Sequence, residues 1–301
     1  MENAIIESTQ NQITSIGVRK NELKYILLVG AAVCFLATGG IFVKVSKLPP
    51  INTGFYRVLF SVPILFPFVF RGIKQIATKD LILMLIAGAF LAGDLTLWNI
   101  SFHYTTVANG NLLANLVSFT IIPVSYFVFK EKIPKMFFIG LIITLLGIVI
   151  LMLGKIRPSY DNFYGDVLAF LTSIFYALFI LTVYKVRDRV NAMTIMFVSA
   201  FGSCIVLFVV ALTKEGIYYP KSITELYPLV GLAIISQIMG QGLLSFCLGK
   251  VRASLSSVLV LAQPMVAAIY SYLIFSEKLS IMEIGGIIIT LIGISFAKRS
   301  Y

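Results

Sequence analysis

An acid and an indole one helical turn apart, Asp94 and Trp98, stand inside otherwise apolar sequence in the stretch GDLTLWNISF. On a helix, Leu91, Asp94, Trp98 and Ser101 share a face. A carboxylate beside an indole suits a cation or an amine, through charge and cation–π attraction, and it also suits an aromatic metabolite. The plainer readings are a structural or hydrogen-bonded acid for Asp94 and an interfacial anchor for Trp98. Downstream, Asn111, Asn115 and Ser118 share a second face with Asn109 nearby, and such amides either tie helices together or line a wet pocket. Gln237 and Gln241 lie one turn apart beside Gly240 and Gly242, and Gln263 directly precedes Pro264. Asp94, Trp98, Asn115, Gln237, Gln241 and Gln263 form the expected lining of a binding cavity.

Other polar residues have weaker claims. Arg57 sits early in its apolar segment, where it can snorkel to an interface, pair with an acid or meet an anionic ligand; a structural or gating role is expected. Pro264 frees a backbone carbonyl one turn earlier, and Pro123 can do the same, so both are candidate kinks or hinges. Gly110 and Ala114 read as a packing stripe, Lys44 and Lys185 as interface anchors, and Glu131 and Glu277 as loop ion pairs beside Lys132 and Lys278. Tyr176 could line the cavity, though ordinary packing is the expected role. Cys34, Cys204 and Cys247 are isolated in apolar sequence and His103 is the single histidine, so neither a disulfide framework nor a metal site is expected. No cofactor is expected either. The sequence contains no G-x-x-x-x-G-K-[ST] loop, and no G-x-S-x-G or H-E-x-x-H pattern, so neither ATP hydrolysis nor hydrolase chemistry is expected.

The elements that must carry these residues are membrane helices. Hydrophobic residues make up 59% of the 301, charged residues only 12%, and the mean hydropathy is +0.97; a soluble domain carries about a quarter charged residues. Apolar segments of spanning length fall near 24–46, 52–70, 80–101, 105–129, 135–154, 163–184, 192–213, 224–247, 253–275 and 280–297, so an all-α integral membrane protein with ten transmembrane helices is expected. Residues 1–22 read as an unstructured cytoplasmic tail without the apolar core of a signal peptide. The net charge of +11 falls in short connections rather than in a nucleic-acid-binding patch. With the N-terminus inside, one side receives Arg19, Lys20, Lys24, Arg71, Lys74, Lys79, Lys130, Lys132, Lys135, Lys185, Arg187, Arg189, Lys250, Arg252, Lys298 and Arg299. The other receives Lys44, Lys47, Lys155, Arg157, Lys214, Lys221 and Lys278. That bias places both termini in the cytoplasm of a multi-pass protein in the cytoplasmic membrane.

An internal repeat sets the architecture. Residues 125–148, SYFVFKEKIPKMFFIGLIITLLGI, lie over 271–294, SYLIFSEKLSIMEIGGIIITLIGI, without a gap. Glu131, Lys132, Gly140, Thr144 and Gly147 meet Glu277, Lys278, Gly286, Thr290 and Gly293. Upstream, Gly93-Asp94 can face Gly240-Gln241, and Lys44 can face Lys185. A period of five helices is odd, so the second copy inserts upside down and the two form inverted repeats, expected over 23–155 and 162–298. If the repeats face each other, Asp94 and the two glutamines look into one cavity from opposite halves.

Arg57 in FYRVLF, the run TTVANGNLLANLVSFTIIPV followed by FKEK and IGLIITLLGIVIL, and in the second half GKVRASLSSVLVLAQPMVAAIY, FSEKLS and GGIIITLIGI resemble the drug/metabolite transporter superfamily, and within it the EamA-like ten-helix transporters. The likeness covers about 24–297. It implies two five-helix repeats, alternating access around a central cavity, and traffic of small metabolites, often export, without ATP hydrolysis. Gly93-Asp94 with Trp98-Asn99 is not universal in that family, so no relative's substrate transfers. The expectation is a secondary transporter of amino acids or related amines within a lipid bilayer, with protons as an available coupling ion. A monomer can supply both halves of the pathway. Exchange of an organic cation or drug for protons is the rival within the class. Outside it stand an intramembrane enzyme, for which the sequence supplies no nucleophile–base pair, and a scaffold subunit, which would not need polar residues at mid-membrane depth in both halves.

Overall fold

The structure, a computed structural model, describes residues 2–69, 76–105, 107–153, 163–275 and 279–300; of these, 2–22, 102, 103, 107–109, 111 and 275 are described in the backbone alone. The side chains of His103, Asn109 and Asn111, and Glu277 and Lys278 entirely, therefore lie outside the described residues.

The described chain is helical throughout: α1 (Glu2–Val45), α2 (Pro50–Val69), α3 (Thr78–Tyr104), α4 (Val107–Ala114), α5 (Val117–Phe127), α6 (Lys135–Leu153), α7 (Phe163–Val186), α8 (Ala192–Lys214), α9 (Ile223–Gly231), a π-helical segment (Leu232–Gln241), α10 (Gly242–Leu248), α11 (Ala253–Val260), α12 (Gln263–Phe275) and α13 (Ile281–Arg299). Among the described residues nine stretches are long and apolar enough to cross a membrane, with Leu112–Phe127 a shorter apolar helix. Helices are what such sequence must form, because hydrocarbon offers no partner to an unpaired backbone group. The polar leader expected to lack structure is instead helical from Glu2 and runs unbroken into the first span. It holds no proline to stop the helix, and Gly17 alone weakens it.

Two of the expected spans are interrupted, and the interruptions correspond. One falls at Asn115–Leu116 between α4 and α5, the other at Leu261–Ala262 between α11 and α12. They are separated by the same offset that lays Ser125 on Ser271. At the second, Pro264 has no N–H to offer the turn before it, and the chain tightens instead, with Ala262 N–H donating to Leu259 O at 3.0 Å. The first has Ser118 where the second has proline. It holds the same break through Leu116 N–H to Leu113 O at 3.1 Å and Phe119 N–H to Leu116 O at 3.0 Å. Pro123 lies inside α5, beyond the interruption.

The repeat-related helices α6 and α13 pack on each other through the glycines that align in sequence. A Cβ added at Gly140 would stand 2.3 Å from Ala297 N, and one at Gly286 would stand 2.5 Å from Leu151 N. At Gly147 it would meet Thr290 N at 2.5 Å, and at Gly293 it would meet Thr144 N at 2.3 Å. Each contact is the image of another: Gly140 against Gly293 maps onto Gly286 against Gly147. Such an isologous seam is what a pseudo-two-fold axis between inverted copies produces. Only hydrogen at these positions lets the backbones approach so closely. Thr144 and Thr290 turn their hydroxyls back onto Gly140 O and Gly286 O, both at 2.8 Å, so neither carries an unpaired group into the contact.

Around this seam the halves interleave. Helix α3 packs on α7 and α8, α2 on α8 and the π segment, and α1 on the π segment and α12. At one face of the bundle the Glu215 carboxylate accepts from Ile51 N and Asn52 N, at 3.0 and 3.1 Å, and from Asn52 Nδ2 at 2.9 Å. An acid from the second half thus meets the open donors at the start of α2, where the helix dipole favours negative charge. At the opposite face Arg189 grips Asp80 with Nη2 to Oδ1 at 2.7 Å and Nε to Oδ2 at 3.1 Å, and Ser254 donates to Glu131.

The adjacent glycines of α13 give a matched test of the seam. Gly286→Ala is expected to lower the melting temperature of the detergent-solubilised protein by several degrees and broaden its size-exclusion peak. Gly285→Ala, with nothing within 4 Å of the added methyl, is expected to leave both unchanged or raise stability, alanine being the better helix former by about 1 kcal/mol.

Candidate functional site

The deepest polar cluster lies where α1, α2 and α3 of the first half meet α7 and the π segment of the second. Packing brings the walls together. A Cβ at Gly240 would stand 2.9 Å from Leu36 N, so the π segment rides directly on the α1 backbone. A Cβ at Gly93 would stand 2.5 Å from the Phe175 ring, so α7 presses on α3 beside Asp94; Phe175 also meets Phe90 edge-on at 6.3 Å.

The π winding matters to this wall. Its i→i+5 hydrogen bonds widen the helix and are common at functional sites; at its end Gly242 N–H is shared among Gln237 O, Ile238 O and Met239 O. Along this segment Ser236, Gln237, Gly240 and Gln241 come to the buried side, while Ile234 and Met239 are exposed.

Arg57 does not snorkel outward. Its Nε donates to Gln237 Oε1 at 2.9 Å, joining α2 to the opposite half. A guanidinium can only donate, so the amide oxygen must face it and Gln237 Nε2 must point elsewhere. That nitrogen is buried without a partner among the described residues, as are Gln241 Nε2 and Ser236 Oγ. Gln241 Oε1 is taken by Tyr176 Oη at 3.2 Å. A buried donor left unmade costs about 1–3 kcal/mol, so native proteins supply such groups with protein, water or ligand partners. Asp94 lies within electrostatic reach of both Arg57 and Tyr176. It makes no ion pair or hydrogen bond with them among the described residues. Asp94, Arg57 and Tyr176 are each part-buried. One acid and one base thus share a low-dielectric region without neutralising each other by contact.

Of the residues singled out from the sequence, Asp94, Gln237 and Gln241 come together here. Trp98 is part-buried one turn along α3. Asn115 and Gln263 stand at the two helix interruptions, the first within its break and the second just after. Asn99 does a packing job instead, donating from Nδ2 to Pro50 O at 2.9 Å. Two cluster members were read otherwise from the sequence: Arg57 as gating or structural, and Tyr176 as packing. Ser236 and the close-packed Gly39 were not distinguished at all. The available signal was Ser236-Gln237 and Gly240-Gln241 in one apolar segment, a serine and two amides spaced to share a side.

Comparison with known proteins agrees with this architecture. The family model for the EamA-like transporter family matches twice, over residues 23–153 and 163–298. An uncharacterized transporter of Bacillus subtilis, YetK, is 24% identical over 295 residues, covering 91% of this chain and 88% of its own. An uncharacterized transporter of Archaeoglobus fulgidus is 25% identical over 272 residues, covering 88% and 94%. A solved crystal structure 16% identical in sequence superposes with a TM-score of 0.78 over 92% of this chain and 96% of the other, which shows a shared fold. The chain, a multi-pass membrane protein, belongs to the EamA-like transporter family.

Proposed function

We propose that this protein is a secondary transporter that exports amino acids or related amines across the cytoplasmic membrane by alternating access, with both termini in the cytoplasm. The observation that carries the proposal is the cluster between the halves: Asp94 within reach of Arg57, walled by Gln237 and Gln241, with buried donors that lack partners among the described residues. An intramembrane carboxylate facing a cavity marks a substrate or ion pathway by default. Asp94 supplies the counter-charge for an ammonium group, and Trp98, one turn away, supplies an aromatic surface for the rest of the molecule. The two halves rock about the α6–α13 seam. The contacts of Glu215 with α2 and of Asp80 with Arg189 close opposite faces and open in turn. Gradients, not nucleotide hydrolysis, drive the cycle.

A second reading follows from Asp94 having no hydrogen-bonding partner among the described residues: it can carry a proton inward in exchange for an organic cation that leaves. Both readings are tested by flux from proteoliposomes loaded with labelled amino acids and amines, with and without an imposed pH gradient. Asp94→Asn is expected to reduce amine-bearing flux at least tenfold, the loss of about 1.4 kcal/mol or more of interaction. If the wild-type flux also depends on the pH gradient and the residual flux of the variant does not, proton exchange is favoured. Undiminished flux in Asp94→Asn would remove that residue from the mechanism.

A further inference from the structure

The cluster holds a positive group that an amine-binding site does not need. We infer that Arg57, Gln237 and Ser236 form a subsite for a carboxylate, so that the transported molecule is a zwitterion and not a bare amine. This rests on the transporter reading above and deepens it.

The donors lie on adjoining residues and are unspent. Arg57 uses Nε on Gln237 Oε1, and among the described residues its two Nη groups have no hydrogen-bonding partner. Those groups form the edge of the guanidinium fork that takes a planar carboxylate through parallel bonds. Gln237 Nε2 and Ser236 Oγ are fully buried and unpaired. Ser236 and Arg57 meet at one point of α1: a Cβ at Gly39 would lie 3.0 Å from Ser236 Oγ and 3.8 Å from Arg57 Nη1. Only glycine at 39 lets α1 approach both groups this closely, and a larger residue there would push Ser236 aside.

Charge balance selects the ligand. Arg57 and Asp94 give the region no net charge, and a zwitterion with its carboxylate on Arg57 and its ammonium toward Asp94 keeps it so. A bare amine would leave Arg57 uncompensated in a low-dielectric region, and a phosphate dianion would bring more negative charge than one guanidinium balances. Arg57 and Asp94 are within electrostatic reach without an ion pair between them among the described residues, so each remains open to one end of such a molecule.

The test compares matched pairs that differ only by the carboxylate: leucine with isoamylamine, lysine with cadaverine, and tryptophan with tryptamine. Each is measured as labelled flux in proteoliposomes of the full chain. Wild type is expected to move at least one amino acid ten times faster than its amine, and Arg57→Gln is expected to cut that ratio at least tenfold. Gln237→Glu gives an independent readout, since its carboxylate would occupy Arg57 as the substrate does. It is expected to keep or raise the melting temperature while amino-acid flux falls at least tenfold, a combination that misfolding cannot produce. Equal flux of the two members of every pair in wild type, or an unchanged ratio in Arg57→Gln, overturns the carboxylate subsite and leaves an amine transporter standing. Undiminished amino-acid flux in Gln237→Glu likewise overturns it. If neither member of any pair crosses in wild type, the transport reading falls together with it.

Discussion

Backbone on backbone, without an intervening side chain, is the contact through which the two halves of this protein meet most closely. Lipid tails are as apolar as leucine, so apolar burial gives little drive for one membrane helix to prefer another. Close approach does, through dispersion over many atoms and the exclusion of anything larger than hydrogen. The α6–α13 seam satisfies that demand twice with one set of residues, Gly140, Thr144 and Gly147 meeting Gly286, Thr290 and Gly293. The α3–α8 contact works in the same way, a Cβ at Gly88 standing 2.3 Å from Ser199 O, and together with α3 on α7 and α2 on the π segment it brings Arg57 to Gln237.

The seam also explains why so much of the fold was legible in the chain. Glycines and threonines in register inside apolar helices are rare enough that their repetition at a fixed offset declared the duplication. The odd number of helices per copy then dictated the inversion. Apolar length set the spans to within a few residues. The correspondence of the two interruptions was harder to see, because only the second copy advertises its break with a proline. Pro123 drew attention to a turn where α5 continues undisturbed, while the true interruption at Asn115–Leu116 has no breaker residue and is held by local hydrogen bonds and by packing.

The site was only half legible, for a different reason. Asp94, Gln237 and Gln241 are conspicuous because polar groups are costly in hydrocarbon. Which way a side chain turns depends on partners that are far away in sequence. Arg57 near a helix start is compatible with reaching back to the interface, and what draws it inward is an amide 180 residues away. The π winding left no clear mark either, since a run such as LAIISQIMGQ is equally suited to an α-helix. Gly39 is one of many glycines, and its importance lies wholly in what would collide with a methyl group there.

An isologous seam needs only one sequence to make both of its sides. Two separate copies of a five-helix chain, inserted in opposite orientations, would meet through the same glycines and threonines. Such a homodimer would carry identical residues at equivalent positions on both sides of its axis. An arginine in one half bonded to a glutamine in the other, with a lone carboxylate nearby, is out of reach of that symmetry. Joining the copies in one polypeptide leaves the seam under a shared constraint while freeing the facing walls to become unlike. The asymmetry of this polar cluster therefore depends on covalent fusion, and it shows in the contrast between a seam that still repeats and a cluster that does not.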